Sequence, residues 1–206
     1  MAKTLRFPLP VASDFQAVTP SLFAWHAYEP AVKCELSCCA FDSADGLIFV
    51  DPIALAEPAL ARLLHGRKAA AIILTNGNHT RAAAEFRTRF GAKVFASGDA
   101  IGLDITPDAT LADGQIAPGE MQVIALPGAG PGEIALTGHS IAFLGDALIH
   151  LPPDGLRILP DKYCANPPQL RVSLRKLLSC EFQVLTFAHG APLAEGACQK
   201  LEKLIA

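Results

Sequence analysis

The chain has 206 residues, 51% of them hydrophobic and 18% charged, which is enough apolar material to bury a substantial core. Its 17 Lys and Arg against 20 Asp and Glu leave a net charge of −3 with no long run of either sign, so the electrostatic footprint of a nucleic-acid or anionic-membrane partner is missing. Residues 1–10 lack an apolar stretch of signal-peptide length, and no segment approaches the roughly 20 apolar residues of a membrane span. A cytoplasmic protein with one domain over residues 1–206 is expected, with homo-oligomerisation left open. The six cysteines (34, 38, 39, 164, 180 and 198) show no Cys-x-x-Cys spacing and read as thiols, not a disulfide framework.

Residues 21–51 cluster and alternate apolar side chains as strands do, and Asp42-Ser43-Ala44-Asp45-Gly46 predicts a hairpin turn between 38–41 and 47–50. A helix is predicted over 57–65, where Pro58 opens the first turn, Leu60, Leu63 and Leu64 fall at helical spacing and Gly66 follows. A buried strand is predicted at 70–74. From His79 onward, Ala82, Ala83, Phe86 and Phe90 recur every three or four residues up to Gly91, which predicts a helix from 79 with Asn78 either as its N-cap or as a pocket residue. Another strand is predicted at 92–96, and the turn at 111–114 opens the second half. Strands at 121–126, 134–137, 141–144 and 182–187 and helices at 168–178 and 192–205 complete the pattern.

Four segments carry chemistry. Residues 72–81 read Ile-Ile-Leu-Thr-Asn-Gly-Asn-His-Thr-Arg, an apolar strand running into a polar turn. Pro127-Gly128-Ala129-Gly130-Pro131-Gly132-Glu133 is glycine-rich, Ile141 to Leu148 contains the pair Gly145-Asp146, and Ala188-His189-Gly190-Ala191-Pro192 follows the last strand. In their order and spacing, from Gly46-Leu47-Ile48-Phe49-Val50-Asp51 through His189, these segments resemble the metallo-β-lactamase-fold hydrolases. In that family the strand at 72–81 ends in Thr-His-x-His-x-Asp-His. The chain is similar to a smaller subset with Thr-Asn-x-x-His-x-Arg in its place.

The resemblance implies an α/β fold, a four-layer αβ/βα sandwich of two facing sheets under outer helices. It also implies a metal centre at the strand ends from which most ligands are gone. Asn76 and Asn78 stand at the first two histidines, Thr80 at the aspartate, Arg81 at the last histidine, and Ala129 at the histidine of the Pro-Gly-His-Thr-Pro-Gly segment. Asp146 and His189 keep their ligand types. Zinc takes thiolate, imidazole or carboxylate, whereas amides and hydroxyls are weak donors and guanidinium has no free lone pair. An arginine about 5 Å from a dication costs about 6 to 7 kcal/mol at an effective dielectric near 20.

The expected protein is therefore hydrolase-like and non-catalytic or weakly active, a pseudoenzyme without a cofactor. Its polar cleft of Asn76, Asn78, His79, Arg81, Asp146 and His189 is expected to bind a small, anionic molecule. Arg81 is expected either to replace the lost cation by pairing with Asp146 or to lie on the solvated side of its helix. One alternative is an active hydrolase with a single zinc or iron ion held by His79, Asp146 and His189 and a water in the fourth position; another is a structural or protein-interaction role. The segment 156–163, where the family has a loop near the cleft mouth, brings Arg157, Asp161 and Lys162 either into the pocket or into solvent. No Gly-x-Ser-x-Gly elbow, Cys/His signature or phosphate-binding glycine loop points to other chemistry.

Overall fold

The computed structural model describes residues 10–205, so residues 1–9 of the segment read for an export signal lie outside it. The first half contains β1 (Val11–Ala12), β2 (Gln16–Thr19), β3 (Leu22–Glu29), β4 (Cys34–Ser43), β5 (Gly46–Val50), β6 (Ala54–Leu55), α1 (Glu57–Leu64), β7 (Ala69–Leu74), α2 (Ala83–Phe90), β8 (Lys93–Ser97) and β9 (Ala109–Leu111). The second half contains β10 (Ile116–Ala117), β11 (Met121–Ala125), β12 (Ile134–Gly138), β13 (Ile141–Phe143), β14 (Leu148–Leu151), β15 (Gly155–Ile158), α3 (Pro167–Leu174), β16 (Val184–Thr186) and α4 (Ala197–Ile205). Short 3₁₀ turns occupy Asp161–Tyr163 and Arg175–Ser179.

Strands β2-β3-β4-β5-β7-β8-β9 form one sheet and β10-β11-β12-β13-β16 the other. The first sheet is antiparallel from β2 to β5, as the predicted hairpin requires, and parallel from β5 through β9. Parallel neighbours need crossovers, which α1 supplies between β5 and β7 and α2 between β7 and β8. Apolar side chains alternate between the two faces of each sheet. Leu22, Phe41, Ile48, Ile73, Val123, Leu136 and Phe143 fill the space between the sheets. Phe49, Ile72 and Val94 point the other way, under Leu60 and Leu63 of α1 and Phe86 of α2. On the far side, Leu144 and Leu185 pack against Leu170 and Leu174 of α3 and Leu201 of α4. These layers are the expected αβ/βα sandwich.

Differences from the sequence reading have local causes. Helix α2 begins at Ala83, not at 79, and its cap residue Ala82 makes no side-chain capping bond, so Asn78 is not its N-cap. The Asn76 side chain takes the Asn78 backbone N–H instead, at 2.8 Å, and Arg81 adopts φ +39, which keeps 76–82 in turns. The helix expected at 192–205 starts only at Ala197, because Leu193 pairs with Leu185 and Gly196 takes φ +62. The segment expected as a loop at 156–163 is largely ordered, with β15 paired to β14. Among the described residues no helix is long and apolar enough to cross a membrane.

Phe49 is fully buried and meets Phe86 edge-on at 5.0 Å, stacks parallel to Phe90 at 6.3 Å and touches Trp25 at 6.3 Å. Phe49→Ala is expected to destabilise the protein by about 3 to 5 kcal/mol, read from the urea midpoint. A loss below about 1 kcal/mol would show that the layer under α2 repacks freely.

Candidate functional site

The chemistry-bearing residues meet where strands end. Asp51 follows β5, Thr75 to Arg81 follow β7, Asp146 comes three residues after β13 and His189 three after β16. All four segments leave at the carboxyl ends of their strands, the edge at which open α/β sheets place their sites. Gly145, next to Asp146, has no room for a side chain, since an added Cβ would overlap Thr75 Oγ1 and lie 2.8 Å from Glu133 Oε1.

Asp146 is the hub. Its Oδ1 lies 3.2 Å from His79 Nε2 and 3.2 Å from His189 Nε2, and its Oδ2 accepts a 3.0 Å bond from Asn76 Nδ2. Each histidine is held from behind by a second acceptor: His79 Nδ1 faces Asp51 Oδ2 at 2.9 Å, and His189 Nδ1 faces the Glu35 carbonyl at 2.9 Å. Asp51 also takes the Thr75 backbone N–H at 2.8 Å and the Thr75 hydroxyl at 2.5 Å. Asn76 donates a second bond to Glu133 Oε2 at 2.6 Å, and Glu133 Oε1 accepts the Ala147 N–H at 3.0 Å. Among the described residues no buried side-chain N or O lacks a partner. His189 Nδ1 also lies 3.3 Å from Cys34 Sγ.

Of the six residues expected in a cleft, Asn76, His79, Asp146 and His189 therefore touch one another in a chain. Asn78 is exposed and joins only through its backbone N–H. Arg81 is half-buried but does not pair with Asp146, which corrects the first expectation for it, and it is not on a solvated helix face, which corrects the second. Its guanidinium donates to the backbone carbonyls of Ser37 at 2.6 Å, Asp51 at 3.2 Å and Ala188 at 3.2 Å. The three oxygens come from both halves of the chain, and a planar fork of five N–H donors is suited to gather them. Asp146 needs no guanidinium because two imidazoles and an amide already saturate it. Arg157, Asp161 and Lys162 lie at the surface, paired with Asp154, with Arg171 and with the Tyr163 ring.

Sequence reading missed Asp51, Glu133 and Cys34 as site members. Asp51 ends the motif strand, and Glu133 ends the glycine-rich segment, so both stood in quoted motifs without an assigned role. Cys34 gave no signal, because 155 residues separate it from His189.

With an acceptor at both nitrogens, each ring carries two protons. Burial opposes that charge, yet Asp51 and Asp146 around His79, and Asp146 and Cys34 around His189, raise both imidazoles to about 9. Burial would raise the two aspartates; the charge and hydrogen bonds of His79 outweigh it at Asp51, and those of His79 and His189 hold Asp146 far below the usual carboxylate range. Burial and the charge of Asp146 push Glu133 up to about 8, so the proton of that pair sits on Glu133. The His189 hydrogen bond lowers the Cys34 thiol.

The donor set does not fit the family's two-metal centre. Asn76 turns an N–H toward Asp146, Arg81 is engaged with main chain, and Ala129 is a buried methyl in an apolar cluster. A single ion fits better: one donor atom from each of His79, Asp146 and His189 falls within 4.8 Å of the others.

Two expectations follow. Arg81→Met removes the donor from three carbonyls and is expected to cost on the order of 3 kcal/mol, seen as a lower urea midpoint; an unchanged midpoint would show that water replaces the guanidinium without loss. For pH, groups with raised folded pKa stabilise while protonated. The contributions of His79 and His189 are complete below about pH 6.5 and vanish as pH rises through about 9, and that of Glu133 fades between about 4.5 and 8. Asp51 and Asp146, with lowered values, contribute above about pH 4 and lose it in acid. Stability measured by urea titration is expected to peak near pH 4 to 5 and fall toward pH 9. A flat profile over that alkaline limb would mean the imidazolium pair is absent.

Comparison with known proteins agrees with the fold. The DIM-1 metallo-β-lactamase superposes with a TM-score of 0.74 at 15% identity, over 96% of this chain and 98% of that one. A metallo-β-lactamase from Pontibacter korlensis gives 0.70 at 15% identity over 92% and 98%. FIM-1 from Pseudomonas aeruginosa in its mono-zinc form gives 0.67 at 16% identity over 95% and 97%. Such identities establish the fold alone, and no curated protein matches the sequence. A sequence model of the metallo-β-lactamase superfamily, however, matches residues 16–205, and the chain belongs to that superfamily.

Proposed function

We propose that this chain is a hydrolase-like member of its superfamily that has given up two-metal chemistry and uses a metal-free polar site to bind a small anionic molecule. The observation that supports this most directly is Asn76. At the position of a ligand histidine it offers Nδ2 to Asp146 and Glu133, a donor where an ion needs an acceptor. Charge balance points the same way. With Glu133 protonated, the three cations Arg81, His79 and His189 stand against the two carboxylates of Asp51 and Asp146. The surplus positive charge favours an anion at the side where the Asp146 and His189 side chains remain 14% and 17% exposed.

A second reading, a hydrolase with one metal ion, is favoured by the convergence of His79, Asp146 and His189. The 3.2 Å separations of both Nε2 atoms from Asp146 Oδ1 are close to the roughly 3.3 Å edge of a tetrahedron with ligand bonds of about 2.0 Å. The partners behind each ring, Asp51 and the Glu35 carbonyl, are of the kind that orient metal-bound histidines. An ion held there would lower the pKa of a coordinated water toward neutrality.

Metal analysis of protein purified without chelator separates the two. The first reading expects no stoichiometric ion; about one zinc or iron per chain that disappears in His189→Ala would overturn it in favour of the second. A thermal-shift titration with inorganic phosphate and small carboxylates tests the anion, with a rise in midpoint expected for the wild type and none for His189→Ala.

A further inference from the structure

The outer face of the second sheet is covered over most of its area but not all of it. Ile124, Ala135 and Ala142 lie under Leu170 and Leu174 of α3, Leu177 of the following 3₁₀ turn and Leu201 of α4. One step farther along the same face, at the start of β11 and the end of β12, the cover stops. A groove of about 630 Å³ opens there, lined among others by Gln122, Thr137, Lys176 and Glu181. Thr137 pairs with Gln122 on one side and with Ala142 on the other, so all three side chains leave the sheet on that face. The groove lies beside the start of β13, whereas Asp146 follows its end, which sets it apart from the histidine–carboxylate centre.

Thr137 marks the groove as more than a surface depression. The residue is 7% exposed, yet among the described residues its hydroxyl has no hydrogen-bond partner. Hydroxyls so enclosed are ordinarily bonded. Because no fully buried side-chain N or O lacks a partner, the remaining exposure includes this oxygen, which meets solvent through the groove. The amide of Gln122 opposite is also unbonded, and the exposed carboxylate of Glu181 pairs with no cation among the described residues. The other wall brings no net charge: Lys176 Nζ lies 3.0 Å from Asp113 Oδ2, and Asp113 Oδ1 accepts the Ala125 N–H at 2.7 Å.

We infer that this groove binds a polyhydroxylated cation of the amino-sugar type. A threonine hydroxyl and a glutamine amide each donate and accept, which matches ligand hydroxyls that do the same. The charge left over is the single carboxylate of Glu181, which selects an ammonium and disfavours an anion. The volume falls within the roughly 300 to 1,000 Å³ of small-ligand pockets, and the lining holds no aromatic ring among the described residues, so a flat apolar ligand gains little there. The groove is complete whether or not Asp146 and its histidines hold a metal.

The test titrates D-glucosamine, D-glucose and n-propylamine into isotopically labelled full-length protein at fixed pH and ionic strength, followed by backbone amide shifts. Saturable changes at Gln122, Thr137, Gly138 and Glu181 are expected for glucosamine, with a Kd on the order of 1 mM. Glucose, without the ammonium, and propylamine, without the hydroxyls, are each expected to bind at least about fivefold more weakly. Thr137→Val keeps the side-chain shape, drops the hydroxyl and is expected to weaken glucosamine about fivefold. Glu181→Gln is expected to weaken it about fivefold as well, to the level of glucose. No saturable change up to about 20 mM glucosamine overturns the proposal and needs no variant to fold. Equal affinity for glucosamine and either control ligand overturns it too, as does an unchanged affinity in folded Thr137→Val or Glu181→Gln. Saturable changes confined to the strand ends around His189 would place the ligand elsewhere and equally overturn it.

Discussion

A carboxylate at the ends of two facing sheets, with its side chain 14% exposed, is stable only if donors meet its oxygens. Asp146 meets this condition with three, from His79, His189 and Asn76. The rest of the site is arranged around that demand. Asp51 and the Glu35 carbonyl exist in it to keep a second proton on each ring, and Glu133 stays protonated because a third carboxylate charge so close has no counterpart. Two imidazolium protons carry the charge of one divalent cation. The charges of Asp51 and Asp146 can therefore be balanced by ring protons as fully as by an ion.

The fold was legible because it is written in periodicity. The hairpin through Asp42 to Gly46, the helix with Pro58 and Leu60, and the strands expected at 70–74 and 141–144 all follow from local apolar spacing and turn residues, and the motif order supplied the layering. Boundaries failed where a side chain overrode local preference. Asn76 takes the backbone N–H of Asn78 and so delays α2, and the pairing of Leu193 with Leu185 holds off α4; neither bond is visible in spacing.

The site was half legible for the same reason. Asp146 and His189 stood out by position in the motifs, and His79 as the one imidazole left beside the first strand. Whether Arg81 reached a carboxylate or main chain depended on which acceptors were already taken, a question of three-dimensional competition. Asp146 was full, while the carbonyls of Ser37, Asp51 and Ala188 were free to be gathered. Cys34 depended wholly on tertiary structure, since the β3–β4 hairpin carries it to a histidine near the other end of the chain.

The grip of Arg81 has a consequence for any substitution at that position. A side chain at 81 that introduces an imidazole also releases three main-chain oxygens that tie β4 and the end of β5 to the segment after β16. An imidazole introduced through that one codon thus begins with a weaker protein and, with Asn76, Asn78, Thr80 and Ala129 still in place, completes no two-metal centre to offset it. A step toward the superfamily's histidine motif is uphill from the start, and Arg81 is held in place by architecture.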